Sequence, residues 1–386
     1  MGPVRALTSE QRDDFLARGF SRRHLGRLAA IVAAGAAMPA STEAALAHQG
    51  LSARRDLPPD AVLLNANENP LGPCPEAIEA IRAVVARGGR YLYGETFAFI
   101  DAMAAETGLA PESVMAFAGS SDALHRAVLG FCSPARGLVV ADPGYEAAER
   151  AAKVIGAPVA KVPLRADWAH DCRAMATVDP AAGLIYVCNP NNPTGTVTPT
   201  ADLDELIARK PEGCVVLLDE AYLHLSNSAE PAVAHVKAGR DVIILRTFSK
   251  IYGMAGLRAG AALGRPDLLE KLRGLGANLM PATGMAGATA SLKARGLVDR
   301  RRRLIGSARD ELCDWLARRG AGFIPSESNK VMIDVGRPGA EVGEALFALK
   351  VVVGRTWKAL PNHLRVSIGT PDEMAKFRSA FEQVMA

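Results

Sequence analysis

Between residues 114 and 263 the chain alternates short apolar runs with helical patterns, and this alternation limits the fold more than any other feature. Val114–Phe117, Leu138–Ala141, Val159–Val162, Leu184–Cys188, Val215–Leu218, Val242–Leu245 and Ala259–Leu263 are predicted strands. Helical patterns fall between several of them, over Ala123–Phe131 and near Leu203–Ala208 for example. Runs that are apolar at every position, rather than at every second one, belong to strands buried on both faces. Strands alternating with helices form a mostly parallel sheet covered on both sides. Ligands of such sheets bind beyond the carboxyl ends of the strands. The unusual polar clusters of this sequence all fall at that edge.

The densest cluster is Thr247-Phe248-Ser249-Lys250, with Arg258 eight residues after the lysine. A lysine in that place can bond covalently to a carbonyl, and two hydroxyls with an arginine can hold a phosphate. Pyridoxal 5′-phosphate (PLP), an aldehyde carrying a phosphate, meets both needs; a solvated loop lysine is the bland alternative. Gly119-Ser120-Ser121 lies at a strand-to-helix turn, where free N–H groups and hydroxyls can cradle an anion, although such turns are common. Asp219 ends an apolar strand, and a carboxylate is expensive to bury without a cation. The pyridinium nitrogen of PLP would be such a cation; a helix cap or surface turn is the competing explanation. Tyr222 and Asn192 can donate to the phenolic oxygen of that ring. Tyr145 can stack on it, or be an ordinary rim aromatic. Arg365, in a late predicted strand, suits bidentate capture of a substrate carboxylate or an ion pair between domains.

Taken together, Asn189-Pro190-Asn191-Asn192-Pro193-Thr194-Gly195, Asp219-Glu220-Ala221-Tyr222, Ser249-Lys250 with Arg258, and Leu364-Arg365-Val366-Ser367-Ile368-Gly369 resemble the fold type I PLP-dependent aminotransferases. Asn67-Glu68-Asn69-Pro70-Leu71-Gly72-Pro73 resembles their histidinol-phosphate aminotransferase branch. The resemblance runs from about residue 60 to the C-terminus. It implies an α/β fold with a mostly parallel sheet, helices on both faces and a smaller α/β domain. It also implies that Lys250 is the covalent lysine and Asp219 the partner of the pyridinium nitrogen. Asn192 and Tyr222 would then bind the phenolic oxygen, and Tyr145 would stack on the ring. Ser120, Ser121, Thr247, Ser249 and Arg258 would hold the phosphate. Arg365 would take the substrate carboxylate, with Asn69 at the substrate side. A tyrosine from a partner subunit, matched by Tyr91, with Tyr93 as the weaker match, would reach the phosphate, which makes a homodimer with a shared active site. The implied reaction moves an amino group between an amino acid and a 2-oxo acid by a ping-pong mechanism.

Two departures from that branch weaken histidinol phosphate as the substrate. Ser121-Asp122-Ala123 stands where the branch carries Asp-Glu, and Gly354 separates the apolar run Val351–Val353 from Arg355. A one-residue shift in a strand turns a side chain to the other face, so Arg355 is expected not to reach the substrate. A generic amino-acid:2-oxo-acid aminotransferase is the leading expectation. A PLP-dependent lyase, decarboxylase or oxidase on the same scaffold is the alternative, because fold does not fix the fate of the carbanion. A non-catalytic binding protein is the weakest.

Length and charge add limits. At 386 residues the chain is long for one core, and 49% hydrophobic with 22% charged residues is a globular composition. A formal charge of +4, without aromatic residues interleaved in a basic stripe, implies no nucleic-acid partner. The tract Arg300–Arg303 is expected to be a solvated helix face. Six scattered cysteines (74, 132, 172, 188, 214, 313) give neither a metal site nor a disulfide framework. At the N-terminus a polar, irregular stretch over 1–20 is expected, then Ser21-Arg22-Arg23-His24-Leu25-Gly26-Arg27, an alanine-rich run from Leu28 to Met38, and Ala45-Leu46-Ala47. Basic residues, a short apolar run and a small-residue site resemble a twin-arginine export signal, hence a periplasmic location, with an unprocessed cytoplasmic enzyme as the alternative. The run is too short for a stable membrane span. The expected organisation is a signal peptide over 1–47, a large PLP-binding domain over 95–285, and a small domain from 48–94 and 286–386.

Overall fold

The computed structural model describes residues 7–33, 43, 45–46, 60–276 and 278–386. Twelve strands occur among them. β1 (Val62–Leu64) precedes the seven that form the main sheet: β2 (Val114–Phe117), β3 (Leu138–Asp142), β4 (Val159–Pro163), β5 (Leu184–Cys188), β6 (Val215–Asp219), β7 (Val242–Thr247) and β8 (Gly260–Gly264). Their order across the sheet is β2-β8-β7-β6-β5-β3-β4. β8 runs antiparallel to β2 and β7, and every other neighbouring pair is parallel. Every residue of β5, β6, β7 and β8 is buried, which is why these segments read as unbroken apolar runs.

The late part of the chain builds two smaller sheets. β10 (Lys330–Asp334) lies between β9 (Phe323–Ile324) and β12 (His363–Ser367), antiparallel to both. β11 (Val351–Val353) pairs in parallel with β1, Val62 opposite Val351. This pairing ties the segment before the first helical hairpin to the C-terminal region. It brings the Ala66–Glu68 loop over the carboxyl edge of the large sheet.

The N-terminus departs from expectation. Residues 9–17 form helix α1 (Ser9–Ala17), opened by a capping box between Thr8 and Gln11. Phe15 and Phe20 are buried and meet edge-to-face at 5.3 Å. Between them Arg18 donates 2.7 and 2.8 Å bonds to the carbonyls of Leu129 and Cys132, satisfying the open carboxyl end of the helix Ser120–Phe131. Gln11 Nε2 donates to the Gly274 carbonyl at 2.7 Å. The arginine pair opens α2 (Arg22–Ala33), whose Leu28 is buried in the main core. This stretch therefore packs on the main core. The rest of the alanine-rich run, residues 34–38, and Ala47 of the small-residue site lie outside the described residues. Among the described residues no helix is long and apolar enough to cross a membrane.

The arginine tract is only partly solvated. Within the helix Leu297–Ala317, Arg300 and Arg303 are exposed, but Arg301 is buried and donates to the carbonyls of Ile251 (2.9 Å) and Gly72 (2.5 Å). A guanidinium carries five donors, and the loop after Lys250 leaves carbonyls that need them. All six cysteines are free.

Candidate active site

The parallel strands deliver their polar clusters to one edge. β5, β6 and β7 end at Cys188, Asp219 and Thr247, and the segments just beyond them carry Asn192, Tyr222 and Lys250. A cavity of about 310 Å³, the size of a small-molecule site, opens there. Ser120, Ser121, Tyr145, Asn192, Asp219, Tyr222, Thr247, Ser249, Lys250 and Arg258 all line it, as do Ala66, Glu68 and, unforeseen, Glu43.

Lys250 is buried, and its Nζ donates to the Ala66 carbonyl at 3.1 Å. Burial lowers its pKa to about 8, against the opposing pull of Glu43. Asp219, also buried, accepts from Tyr186 Oη at 2.9 Å and from the Ala221 N–H at 3.1 Å. Burial raises its pKa to about 6, against both hydrogen bonds. Among the described residues no cation lies within ion-pair distance of it. This corner thus holds a desolvated amine and a desolvated carboxylate in one pocket.

At the opposite corner, the helix Ser120–Phe131 starts with no side-chain cap. Gly119, at φ +90°, lets Arg258 approach so closely that any Cβ there would overlap the guanidinium. Arg258 itself takes left-handed φ 55° and donates to the carbonyls of Ala255 (2.8 Å) and Ala118 (3.3 Å) and to Ser249 Oγ (3.4 Å). Ser249 Oγ accepts in turn from Thr247 Oγ1 at 3.1 Å. Among the described residues no carboxylate pairs with Arg258, and burial pulls its pKa down. An uncapped helix N-terminus, clustered hydroxyls and an unpaired guanidinium make an anion site of phosphate type. With the lysine and the buried carboxylate across the cavity, these residues fit PLP. The described residues hold no metal-binding cluster.

A third group gathers around Asn192 and Glu43. Arg365 in β12 is wholly buried, giving 2.9 Å to Asn192 Oδ1 and 2.5 Å to the Asn65 carbonyl. Arg355 is not part of the cavity lining but lies close to this group. It lies two residues past the end of β11, where the two-residue alternation of a strand no longer governs direction, and it reaches the same carboxylate as Arg365, that of Glu43. Glu146 holds its other side at 2.7 and 3.2 Å. Trp357 lies beside both guanidiniums, with centroid distances of 4.7 and 5.2 Å.

Neither Asn69 nor Tyr91 lines this chain's own cavity. Asn69 is committed to the backbone, donating to the Ile251 carbonyl at 3.0 Å and accepting from the Leu71 N–H at 3.1 Å, and it does not line the cavity. Its neighbour Asn67 does the contacting instead, giving 2.9 Å to Tyr222 Oη. Tyr91 is 72% exposed and stacks on Tyr93, away from the cavity.

Residues missed from the sequence include Tyr186, Glu146 and Lys330. Lys330 is fully buried, with Nζ 3.3 Å from the Tyr222 ring centroid and 2.7 Å from Ser328 Oγ. Burial drives its pKa well down. Its one sequence signal is a lysine opening the apolar run Val331–Ile333.

With this geometry in hand, similarity to known proteins can be stated. Residues 59–381 match the family model "Aminotransferase class I and II". The histidinol-phosphate aminotransferase of Moorella thermoacetica is 36% identical over 341 residues, covering 85% of this chain and 86% of that protein. That of Symbiobacterium thermophilum is 37% identical over 330 residues, covering 84% and 91%. Among solved structures, histidinol-phosphate aminotransferase from Sinorhizobium meliloti in complex with PLP matches at a TM-score of 0.78 and 25% identity, over 84% of this chain and 91% of that one.

Proposed function

The chain belongs to the class I and II aminotransferases, and from that premise we propose that its cavity transfers an amino group from an amino acid to a 2-oxo acid with the following division of labour. PLP, when bound, supplies the carbonyl that takes up the amino group and a ring that accepts the electron pair released at the substrate Cα. Ser120, Ser121, Thr247, Ser249 and Arg258 hold its phosphate, Tyr145 lies against its ring, and Tyr222 and Asn192 donate to its phenolic oxygen. Asp219 keeps a proton on its ring nitrogen. Lys250, with a pKa of about 8, takes a proton from the substrate Cα and returns it on the cofactor side, because such an amine can both hold and release a proton near neutrality. Arg365, with Asn192, binds the substrate carboxylate. The observation that carries this reading is one cavity holding Lys250, Asp219 and the unpaired Arg258 together.

Histidinol phosphate is a second reading, favoured by the relatives' names and by Arg355 reaching the same carboxylate as Arg365. Glu146 argues against it: this carboxylate already pairs with Arg355, so the two arginines and Glu146 carry one net positive charge, which matches a carboxylate better than a phosphate dianion. Incubating PLP-loaded protein with single amino acids and with histidinol phosphate, each with and without 2-oxoglutarate, tests both. Keto-acid formation that needs the acceptor, with parallel double-reciprocal lines, is the expected result. Repeated turnover without an acceptor, beyond the single equivalent that the first half-reaction releases, would point to a lyase, decarboxylase or oxidase.

The same proposal includes a homodimer in which the partner copy's Tyr91 reaches the phosphate corner, and export through the N-terminal segment. The exposed Tyr91–Tyr93 pair is an apolar surface that a second copy can cover, and Arg22 is exposed at the start of α2. Fractionation followed by sedimentation checks both: native protein should be released by osmotic shock at twice the chain mass. A cytoplasmic monomer would contradict both.

A further inference from the structure

Arg365 has no solvent around it, and its one ion-pair partner among the described residues is Glu43, 2.7 Å away and 322 positions earlier in the chain. The same Glu43 oxygen accepts from Arg355 Nη1 at 3.0 Å. Its other oxygen accepts from Asn192 Nδ2 at 3.3 Å and from Arg355 Nη2 at 3.4 Å. One carboxylate from the N-terminal segment is therefore gripped by two guanidiniums and an amide at the substrate side of the cavity it helps to line.

We propose that Glu43 is an internal competitor of the substrate: its carboxylate occupies the substrate-carboxylate position, and the chain holds its own active site closed until an anionic substrate displaces it. This rests on the aminotransferase reading of the Arg365 corner. Three observations support it. A guanidinium buried without a counter-charge is strongly unfavourable, so this corner demands an anion, and Glu43 is the one provided. Arg355, Arg365, Glu43 and Glu146 balance two positive against two negative charges, and a substrate carboxylate can replace Glu43 one for one. Leu46, three residues on, is buried in the main core and anchors the segment that carries Glu43.

The test titrates succinate, an unreactive dicarboxylate, into PLP-loaded full-length protein by calorimetry. A strap closed nine-tenths of the time weakens apparent affinity about tenfold. Glu43→Gln, which keeps the shape and removes the charge, should bind succinate about tenfold more tightly than wild type, and Glu43→Asp should fall between them. In wild type, succinate should also speed amide exchange around Glu43. Equal affinities in wild type and Glu43→Gln would overturn the proposal, since Glu43 would then be an ion pair that does not compete. An Arg365→Ala variant that keeps the affinity of wild type for succinate would instead show that the anion corner itself is misassigned.

Discussion

Lys250→Ala abolishes turnover, lowering kcat by about 10⁴-fold, while leaving the protein folded and able to take up PLP. The magnitude follows from two losses at one atom. General acid–base transfer by a positioned group contributes up to about 10⁴-fold, and Nζ of Lys250 is the amine in the cavity aimed at the Ala66 carbonyl from beside Tyr222. The covalent attachment of the carbonyl is lost with it. Stability should not fall, because the lysine makes one hydrogen bond and its buried charge is disfavoured, as its pKa of about 8 records. Borohydride treatment followed by intact mass measurement checks the covalent part: wild type retains the cofactor mass after denaturation, and the variant does not. A variant that keeps the mass shift, or more than about a hundredth of wild-type kcat, would move the reacting amine elsewhere. Lys330, with Nζ against the Tyr222 ring, would be the first candidate.

Much of this site could be read from sequence because the chain places it locally. The central strands of the large sheet are apolar runs, with Lys161 interrupting only the edge strand β4, and Asp219, Thr247 and Lys250 stand where those runs stop, so one-dimensional pattern and three-dimensional edge coincide. What was misread depends on contacts the local pattern does not encode. The direction of Arg355 does not follow from strand alternation, because the strand ends at Val353. Asn69 and Asn67 are equivalent in a motif, and only the Ile251 and Tyr222 contacts separate them. Lys330 reads as a strand-edge lysine, although its stem and ammonium are enclosed. Glu43 sits in a segment that resembles a leader, and nothing nearby in sequence marks it as a partner of residues beyond 350. The N-terminal helix is a different case. Thr8 and Gln11 are spaced as a capping box, with Phe15 and Phe20 behind them, so its signal was present and was outweighed by the polarity of the stretch.

Asp219→Asn separates stability from catalysis, and its sign changes between the two. In the protein without cofactor, burial raises the carboxyl pKa from 3.8 to about 6, so the native state binds a proton there that the unfolded chain has lost. Such a group contributes its stability below the unfolded pKa and loses it as pH rises through about 6. Above that the fold carries a buried charge costing about 3 kcal/mol. The amide carries no such charge, and the Tyr186 hydroxyl can rotate to accept from it where it now donates. The apo variant should therefore melt above wild type at pH 7–8, and the difference should disappear near pH 4. The loaded enzyme should respond oppositely. With no carboxylate to hold the ring nitrogen protonated, the electron sink weakens, and kcat should fall by about 10³-fold, the scale of removing one preorganised electrostatic partner. Calorimetric melting of apo protein across that pH range, together with kcat of the loaded form at pH 7.5, measures both. If Asp219→Asn destabilises the apo protein at pH 8, the carboxylate is paired in the fold after all. A kcat within about tenfold of wild type would mean that its charge does not act on the ring.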